Sequence, residues 1–189
     1  MKLLVHCCCA PCSVICVSSL RSEDSHTECE LFWYNPNIHP YTEYKARRDS
    51  LSLFAANENL KLTMPDEYDY GLRVFLQAVF PEIEETRQIQ GRCRKCYSMR
   101  LEKTAAIAAK KKFDAFTTTL LISPYQNHDE IRRIAKEAAA KYGVDFLYRD
   151  FRPLFREGQE QARARGLYMQ KYCGCVFSEE ERYAKREAE

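Results

Sequence analysis

Glycine and proline are scarce in this chain, at six and seven of 189 residues. That excludes a linker-rich or low-complexity sequence and leaves few places where the backbone turns freely. No apolar run approaches the roughly 18 residues that a membrane span needs, so no membrane is expected among its partners. The opening Met1-Lys2-Leu3-Leu4-Val5 turns into cysteines too soon for the apolar core and cleavage site of a secretory signal. The expected compartment is the cytoplasm. Also missing are a G-x-G-x-x-G turn, a phosphate-binding P-loop and any Ser-His-Asp arrangement that spacing alone supports. His6, His26, His39 and His128, all the histidines there are, do not stand at metal-ligand spacings and read as structural or substrate-facing.

Cysteine, by contrast, is abundant, with ten residues. In a reducing compartment these point to metal binding or redox catalysis rather than to five structural disulfides. Hydrophobic residues make up 46% and charged residues 30%, as in a globular protein. The length suits one catalytic domain over 1–189. Net charge is only +2 but unevenly placed: residues 87–112 carry nine basic residues and one acid, a local +8. That window suits a phosphate backbone, or else it is a solvated helix face.

Short apolar runs alternate with amphipathic stretches. Strands are expected at Leu3–Val5, Glu30–Tyr34, Asp114–Leu120 and Val144–Tyr148, with a further short one around Leu60–Leu62. Helices are expected over Tyr41–Asn57, after an Asp69 cap through Leu72 to Val79, after Cys96 through Ala108, and from a Ser123 cap with Pro124 and Gln126 to Gly143. Ser178 and Glu181 make a capping box for a charged terminal helix over about 178–189. Such alternation predicts an α/β fold with a mostly parallel sheet flanked by helices. Ligands in such sheets sit beyond the carboxyl ends of the strands, which puts a metal site at the end of strand 1, where the first cysteines begin.

The cysteines fall in three groups. Cys7-Cys8-Cys9-Ala10-Pro11-Cys12 follows the first strand, and Ala10-Pro11 starts a helix whose dipole favours thiolates for ligation or nucleophilic chemistry; small buried hydrophobes are the plain alternative. Cys93-Arg94-Lys95-Cys96 sets two thiols on one side of a turn, at a separation a metal or cluster bridges, and the basic window is expected to depress their pKa. Together the two groups carry the two-plus-two logic of a four-thiolate site, against a structural disulfide at the second. Cys173-Gly174-Cys175 would close a very small ring and reads as a redox-active dithiol, as extra metal ligands or as inert thiols. Cys16 and Cys29 read as core.

These blocks resemble a known family. Cys8-Cys9-Ala10-Pro11-Cys12-Ser13, Tyr34-Asn35-Pro36-Asn37-Ile38-His39-Pro40, Arg92-Cys93 to Cys96-Tyr97 with Arg100-Leu101, Thr117 to Tyr125, and Gln170-Lys171-Tyr172-Cys173-Gly174-Cys175 are similar, in order, to the motifs of the epoxyqueuosine reductase QueH family. The resemblance implies reduction of the epoxide of epoxyqueuosine, at the wobble position of tRNA, to queuosine without cobalamin. It implies a 4Fe-4S cluster on Cys8, Cys9, Cys93 and Cys96, and a redox-active pair at Cys173 and Cys175. It also implies room for a second, mononuclear ion, iron or zinc, near Cys12 with help from Asp69 or Asp150. The implied partners are tRNA and an electron donor that nothing in the sequence names. The first-strand cysteine loop is also similar to that of nucleotide-hydrolase-like, Rossmann-like folds.

Two rival readings use fewer of these residues. A thioredoxin-like oxidoreductase would need only Cys9-Ala10-Pro11-Cys12, leaving Cys8 and the other two groups over. A zinc-stabilised RNA-binding module without catalysis would leave Cys173 and Cys175 over. The segment Tyr34–Tyr41 offers polar and aromatic groups to a base, or is a plain turn.

Overall fold

Leu3, Leu4 and Val5 form the middle of strand β1 (Lys2–His6) and are wholly buried, as a central strand covered on both faces requires. Each such side chain contributes about 1.5–3 kcal/mol on burial. The computed structural model describes residues 1–65, 70–86 and 89–184. Strands β2 (Glu28–Phe32), β3 (Leu62–Thr63), β4 (Ala115–Thr118) and β5 (Asp145–Phe146) complete a five-stranded sheet of order β3-β2-β1-β4-β5. Every pairing is parallel. The expected α/β class and parallel sheet are what the structure has.

The helices are α1 (Ala10–Glu23), α2 (Tyr41–Asn57), α3 (Leu72–Thr86), α4 (Ile89–Lys110), α5 (His128–Tyr142), α6 (Phe155–Ala164) and α7 (Val176–Tyr183). Helix α1 packs on α2 and α6, whereas α4 packs on α3 and α5 and against β1 and β4. This is the doubly wound plan, in which the strand order reverses between β1 and β4. His6 pairs with Thr118 in that register, so the chain leaves β1 at Cys7 beside the point where it leaves β4 at Thr119. The cysteine loop therefore opens at the switch point.

Several helix starts differ from the sequence expectation. Helix α4 begins at Ile89, so Cys93 and Cys96 lie within it rather than ahead of it. Helix α5 is capped by Asn127, whose side chain accepts from the Glu130 N–H at 3.1 Å, and not by Ser123. Asn127 and Glu130 have the same cap-and-three spacing, while the Ser123 N–H closes the 3-10 turn Thr119–Ile122 onto the Leu120 carbonyl and its hydroxyl accepts from the Tyr125 N–H at 3.2 Å. Helix α7 begins at Val176 after Cys175, and the Ser178 hydroxyl turns back to the Cys175 carbonyl. Asp69, expected to cap α3, lies outside the described residues, as does 185–189 of the expected terminal helix. Helix α6 has no counterpart among the expected elements. It sits so close to α1 that a Cβ on Gly158 would lie 2.5 Å from Ile15 Cγ2.

Candidate active site

The end of β1 sorts its cysteines by alternation. Cys7 is fully buried, its thiol donating to the Val5 carbonyl at 3.2 Å, and it takes no part in the site. Cys8 points the other way. Its N–H donates to Thr119 Oγ1 at 3.2 Å, and the Thr119 hydroxyl donates to Cys8 Sγ at 3.4 Å, so the end of β4 fixes it. Cys9 precedes α1 and Cys12 lies in its first turn. The sulfurs of Cys8 and Cys9 are 3.7 Å apart, and those of Cys8, Cys9 and Cys12 all lie within 4.8 Å of one another. Gln170 Nε2 donates to Cys12 Sγ at 3.6 Å. Three thiols this close do not hold three protons equally. Hydrogen bonds from Cys12 and Cys9 pull the Cys8 thiol down, burial pushes Cys9 up, and the bond to Cys8 pushes Cys12 up. Beneath them His6 bridges Thr118 Oγ1 and the Tyr34 carbonyl, and burial lowers it to about 4, so it is neutral.

Cys93 and Cys96 face this group from adjacent turns of α4. Their environment corrects the expectation that the basic window lowers their pKa. Burial raises Cys93, and raises Cys96 to about 11. Arg92 and Arg100 act in the opposite direction and are outweighed. Nor is the window one solvated face. Arg92 turns inward to Glu181 at 2.7 Å and over the Phe177 ring, and Arg100 is only 4% exposed, while Arg94 and Lys95 point to solvent. Arg100 Nε donates to the Cys96 carbonyl at 3.1 Å. Among the described residues no carboxylate pairs with its guanidinium, whose titratable neighbours are Cys96, Cys8, Tyr97 and Cys173.

Cys173 is exposed and Cys175 buried. The hydrogen bond from Cys175 lowers Cys173 to about 5 and raises Cys175. The Cys173 thiol reaches Ser178 Oγ at 2.9 Å, which donates on to the Cys175 carbonyl at 2.8 Å. Gly174 between them has φ +113, a region closed to most side chains, and a Cβ there would meet Ile38 Cγ1 at 2.9 Å.

One cavity of about 370 Å³ joins the three groups: Cys8, Cys12, Cys93, Cys96, Cys173 and Cys175 all line it. Cys9 lies just behind Cys8, outside the lining. Five cations also line the cavity, Arg47, Arg92, Arg100, Lys171 and Arg182, and no carboxylate does among the described residues. Tyr125 stands at it 84% exposed, with Phe155 edge-on to its ring. Of the Tyr34–Tyr41 segment, Asn37 lines the cavity, its buried Oδ1 without a partner among the described residues, whereas His39 is enclosed between Tyr70 and Phe75. Asp150 does not reach Cys12. It pairs with Arg152 at 2.6 Å and lies outside the lining, which removes it as a carboxylate ligand there. Asp69 is outside the described residues. Cys16 is buried and Cys29 half-buried at the opposite end of the sheet.

Sequence reasoning gives no role to Arg47, Arg100, Thr119 or Gln170. The signal for the two arginines is nonetheless present. Arg47 falls on the apolar stripe with Tyr44, Leu51 and Phe54, and Arg100 falls with Tyr97, Leu101 and Thr104. A charge on a core-facing stripe is either buried for a purpose or a fault in the pattern.

The family model described as Epoxyqueuosine reductase QueH matches residues 3–181. The Epoxyqueuosine reductase QueH of Dehalococcoides mccartyi is 35% identical over 184 residues, 97% of this chain and 96% of the relative. That of Thermotoga maritima is 36% identical over 185 residues, 97% and 93% of the two chains. Among solved structures, the U34-tRNA thiolase NcsA from Methanococcus maripaludis with its 4Fe-4S cluster is similar in fold, with a TM-score of 0.58 at 14% identity. The likeness covers 94% of this chain and 61% of the thiolase and speaks for the doubly wound fold alone. A sequence match that takes in all three cysteine groups, on a fold that gathers them at the switch point, assigns the chain to the epoxyqueuosine reductase QueH family of oxidoreductases.

Proposed function

We propose that the whole chain acts as one catalytic unit that reduces epoxyqueuosine at the wobble position of tRNA to queuosine, without cobalamin, using Cys173 and Cys175 as a redox-active pair. One observation carries this reading: thiols from three distant segments line one cavity that holds five cations and no carboxylate among the described residues. Such a cavity favours an anionic, phosphate-bearing substrate. The exposed Arg94 and Lys95 beside it suit the backbone of tRNA. No described helix is long and apolar enough to cross a membrane, and tRNA places the work in the cytoplasm.

The donor set fits an iron–sulfur cluster: soft sulfur ligands, Cys8 with the Cys9 sulfur 3.7 Å from its own at the end of β1 and two on adjacent turns of α4, with Cys8, Cys93 and Cys96 lining one cavity. Cys8, Cys9, Cys93 and Cys96 would hold a 4Fe-4S cluster. Cys12, the remaining thiol of the first triad, would serve an adjacent iron or zinc ion. When bound, such a centre supplies single-electron transfer and a Lewis-acidic iron.

The protein's own groups account for the atom balance. Epoxide removal consumes two electrons and two protons, and yields a C=C bond and water. The Cys173 thiolate and the Cys175 thiol supply both electrons as they join in a disulfide, and Cys175 releases one proton. The second proton comes from solvent, which reaches the exposed Cys173. An external electron donor then restores the dithiol. Arg100, buried without a carboxylate partner among the described residues, faces the negative charge of the thiols. The thioredoxin-like and zinc-module readings leave the low-pKa Cys173, or Cys93 and Cys96, without a use.

The test is direct. Anaerobically purified, brown holoenzyme is given epoxyqueuosine-containing tRNA and a chemical reductant, and the digested nucleosides are weighed by mass spectrometry. Loss of one oxygen from the modified base is expected. An unchanged base with iron-loaded enzyme overturns the proposal.

A further inference from the structure

The Cys173–Gly174–Cys175 loop has no regular secondary structure, yet every carbonyl through it is held. Arg47 Nη2 donates to the Tyr172 carbonyl at 2.9 Å, and Arg47 Nη1 donates to the Cys173 carbonyl at 3.2 Å. The His39 N–H donates to the Gly174 carbonyl at 2.8 Å, and Ser178 N–H and Oγ–H donate to the Cys175 carbonyl at 3.0 and 2.8 Å. The Tyr172 hydroxyl closes the loop back onto the His39 carbonyl.

Arg47 is the only one of these donors that comes from the core of a helix. It is 2% exposed, with Nε bonded to Glu43 Oε1 at 2.7 Å and Nη2 ion-paired to the same oxygen at 2.6 Å. The other oxygen of Glu43 accepts from the Tyr168 hydroxyl. Its guanidinium lies 5.5 Å from the centre of the Tyr172 ring. A buried, fully hydrogen-bonded fork of this kind is costly to assemble and holds its target in one geometry.

We propose that Arg47, fixed by Glu43, is the positioning residue of the redox pair: it holds the Tyr172 and Cys173 carbonyls so that the two thiols stay within bonding reach, and so sets the effective concentration of one thiol at the other. This rests on the reading of Cys173 and Cys175 as a redox pair. Arg47 does not exchange electrons or protons. It removes loop freedom that disulfide closure would otherwise have to overcome.

The experiment equilibrates iron-loaded holoenzyme in anaerobic glutathione buffers and traps the thiols by alkylation, read as the Cys173–Cys175 disulfide by mass spectrometry. In Arg47→Lys a single ammonium replaces the fork. Its disulfide-to-dithiol ratio at fixed poise should fall about tenfold, a rise in midpoint potential of about 30 mV. Iron content should stay near wild type, and the melting temperature should fall with the lost hydrogen bonds. Glu43→Gln, which leaves the guanidinium but loses its anchoring charge, should shift the potential the same way by less, and it serves if Arg47→Lys does not fold. A wild-type potential in both variants overturns the positioning role and leaves the redox pair standing. A wild-type protein that forms no Cys173–Cys175 disulfide at any poise overturns both.

Discussion

The first cysteine group and the Cys173–Gly174–Cys175 loop face the same cavity, but the fold holds them by different means. Regular structure positions Cys8, Cys9 and Cys12: the end of β1, the first turn of α1 and the Thr119 hydroxyl beyond β4. Their sulfurs converge within 4.8 Å in a buried place. The loop at 172–175 is positioned by side chains and stray N–H groups that bind its carbonyls one by one. Its thiols belong to no such close triad among the described residues. One is exposed and held near pKa 5, and its partner is buried and kept protonated. Convergent buried sulfurs suit a soft cation, whereas an exposed thiolate beside a thiol suits two-electron exchange.

The comparison breaks most visibly by serine substitution. Cys93→Ser or Cys8→Ser should lose most of the bound iron and at least about 100-fold in turnover, since an alkoxide is the poorer soft-metal ligand. Cys173→Ser should lose as much turnover and keep its iron and brown colour. Iron analysis beside single-turnover rates separates the two. Iron lost in step with activity at Cys173 would merge the regions into one metal site.

A smaller effect is expected at Gly174→Ala. Its φ of +113 and the 2.9 Å approach to Ile38 Cγ1 force the loop to shift. The strain is about 1–3 kcal/mol. Turnover should drop about tenfold or more with iron unchanged, whereas Gly166→Ala, strained by its own φ of +66 but outside the cavity lining, should cost stability without that loss of turnover.

The pH profile of alkylation sharpens the contrast without mutation. With Cys173 near 5, its thiolate is nearly complete at pH 6, so its iodoacetamide rate should stay flat from pH 6 to 8. A thiol with an unshifted pKa of about 8.5 would react nearly tenfold faster per pH unit over that range. A rising rate at Cys173 would contradict the low-pKa assignment.

The gentlest change lies outside the cavity. Arg94→Ala with Lys95→Ala removes two exposed charges, one of them paired with Glu130 at 3.2 Å, and should weaken tRNA binding, lowering the salt slope by about one to two. Arg92 is the wrong target for this measurement, because it is buried against Glu181. An unchanged slope would return the window to a solvated helix face.

How much of the molecule is legible in the sequence varies with the range of the interaction. The strand at Leu3–Val5, the Ala115–Thr118 part of the strand expected over Asp114–Leu120, and the helix at Tyr41–Asn57 are readable from local apolar period, whereas Thr119 and Leu120 belong to a 3-10 turn. The switch-point position of the cysteine loop follows from the alternation of strands and helices. Helix starts are misread where a capping residue serves a local turn or loop instead. Ser123 closes the 3-10 turn, and Ser178 serves the dithiol loop. The expected pKa of Cys93 and Cys96 fails because sequence shows neighbouring charge and not burial. The grip of Arg47 on a loop about 125 residues away is invisible to any local pattern.

The measurement closest to the central claim is a stoichiometric single turnover. Holoenzyme is reduced, freed of reductant and mixed anaerobically with limiting epoxyqueuosine-containing tRNA; queuosine and the Cys173–Cys175 disulfide are then counted together. One new disulfide per queuosine is the expected result, with Cys93 and Cys96 unmodified. Queuosine formed while Cys173 and Cys175 both remain alkylatable would contradict the dithiol as the source of the electron pair.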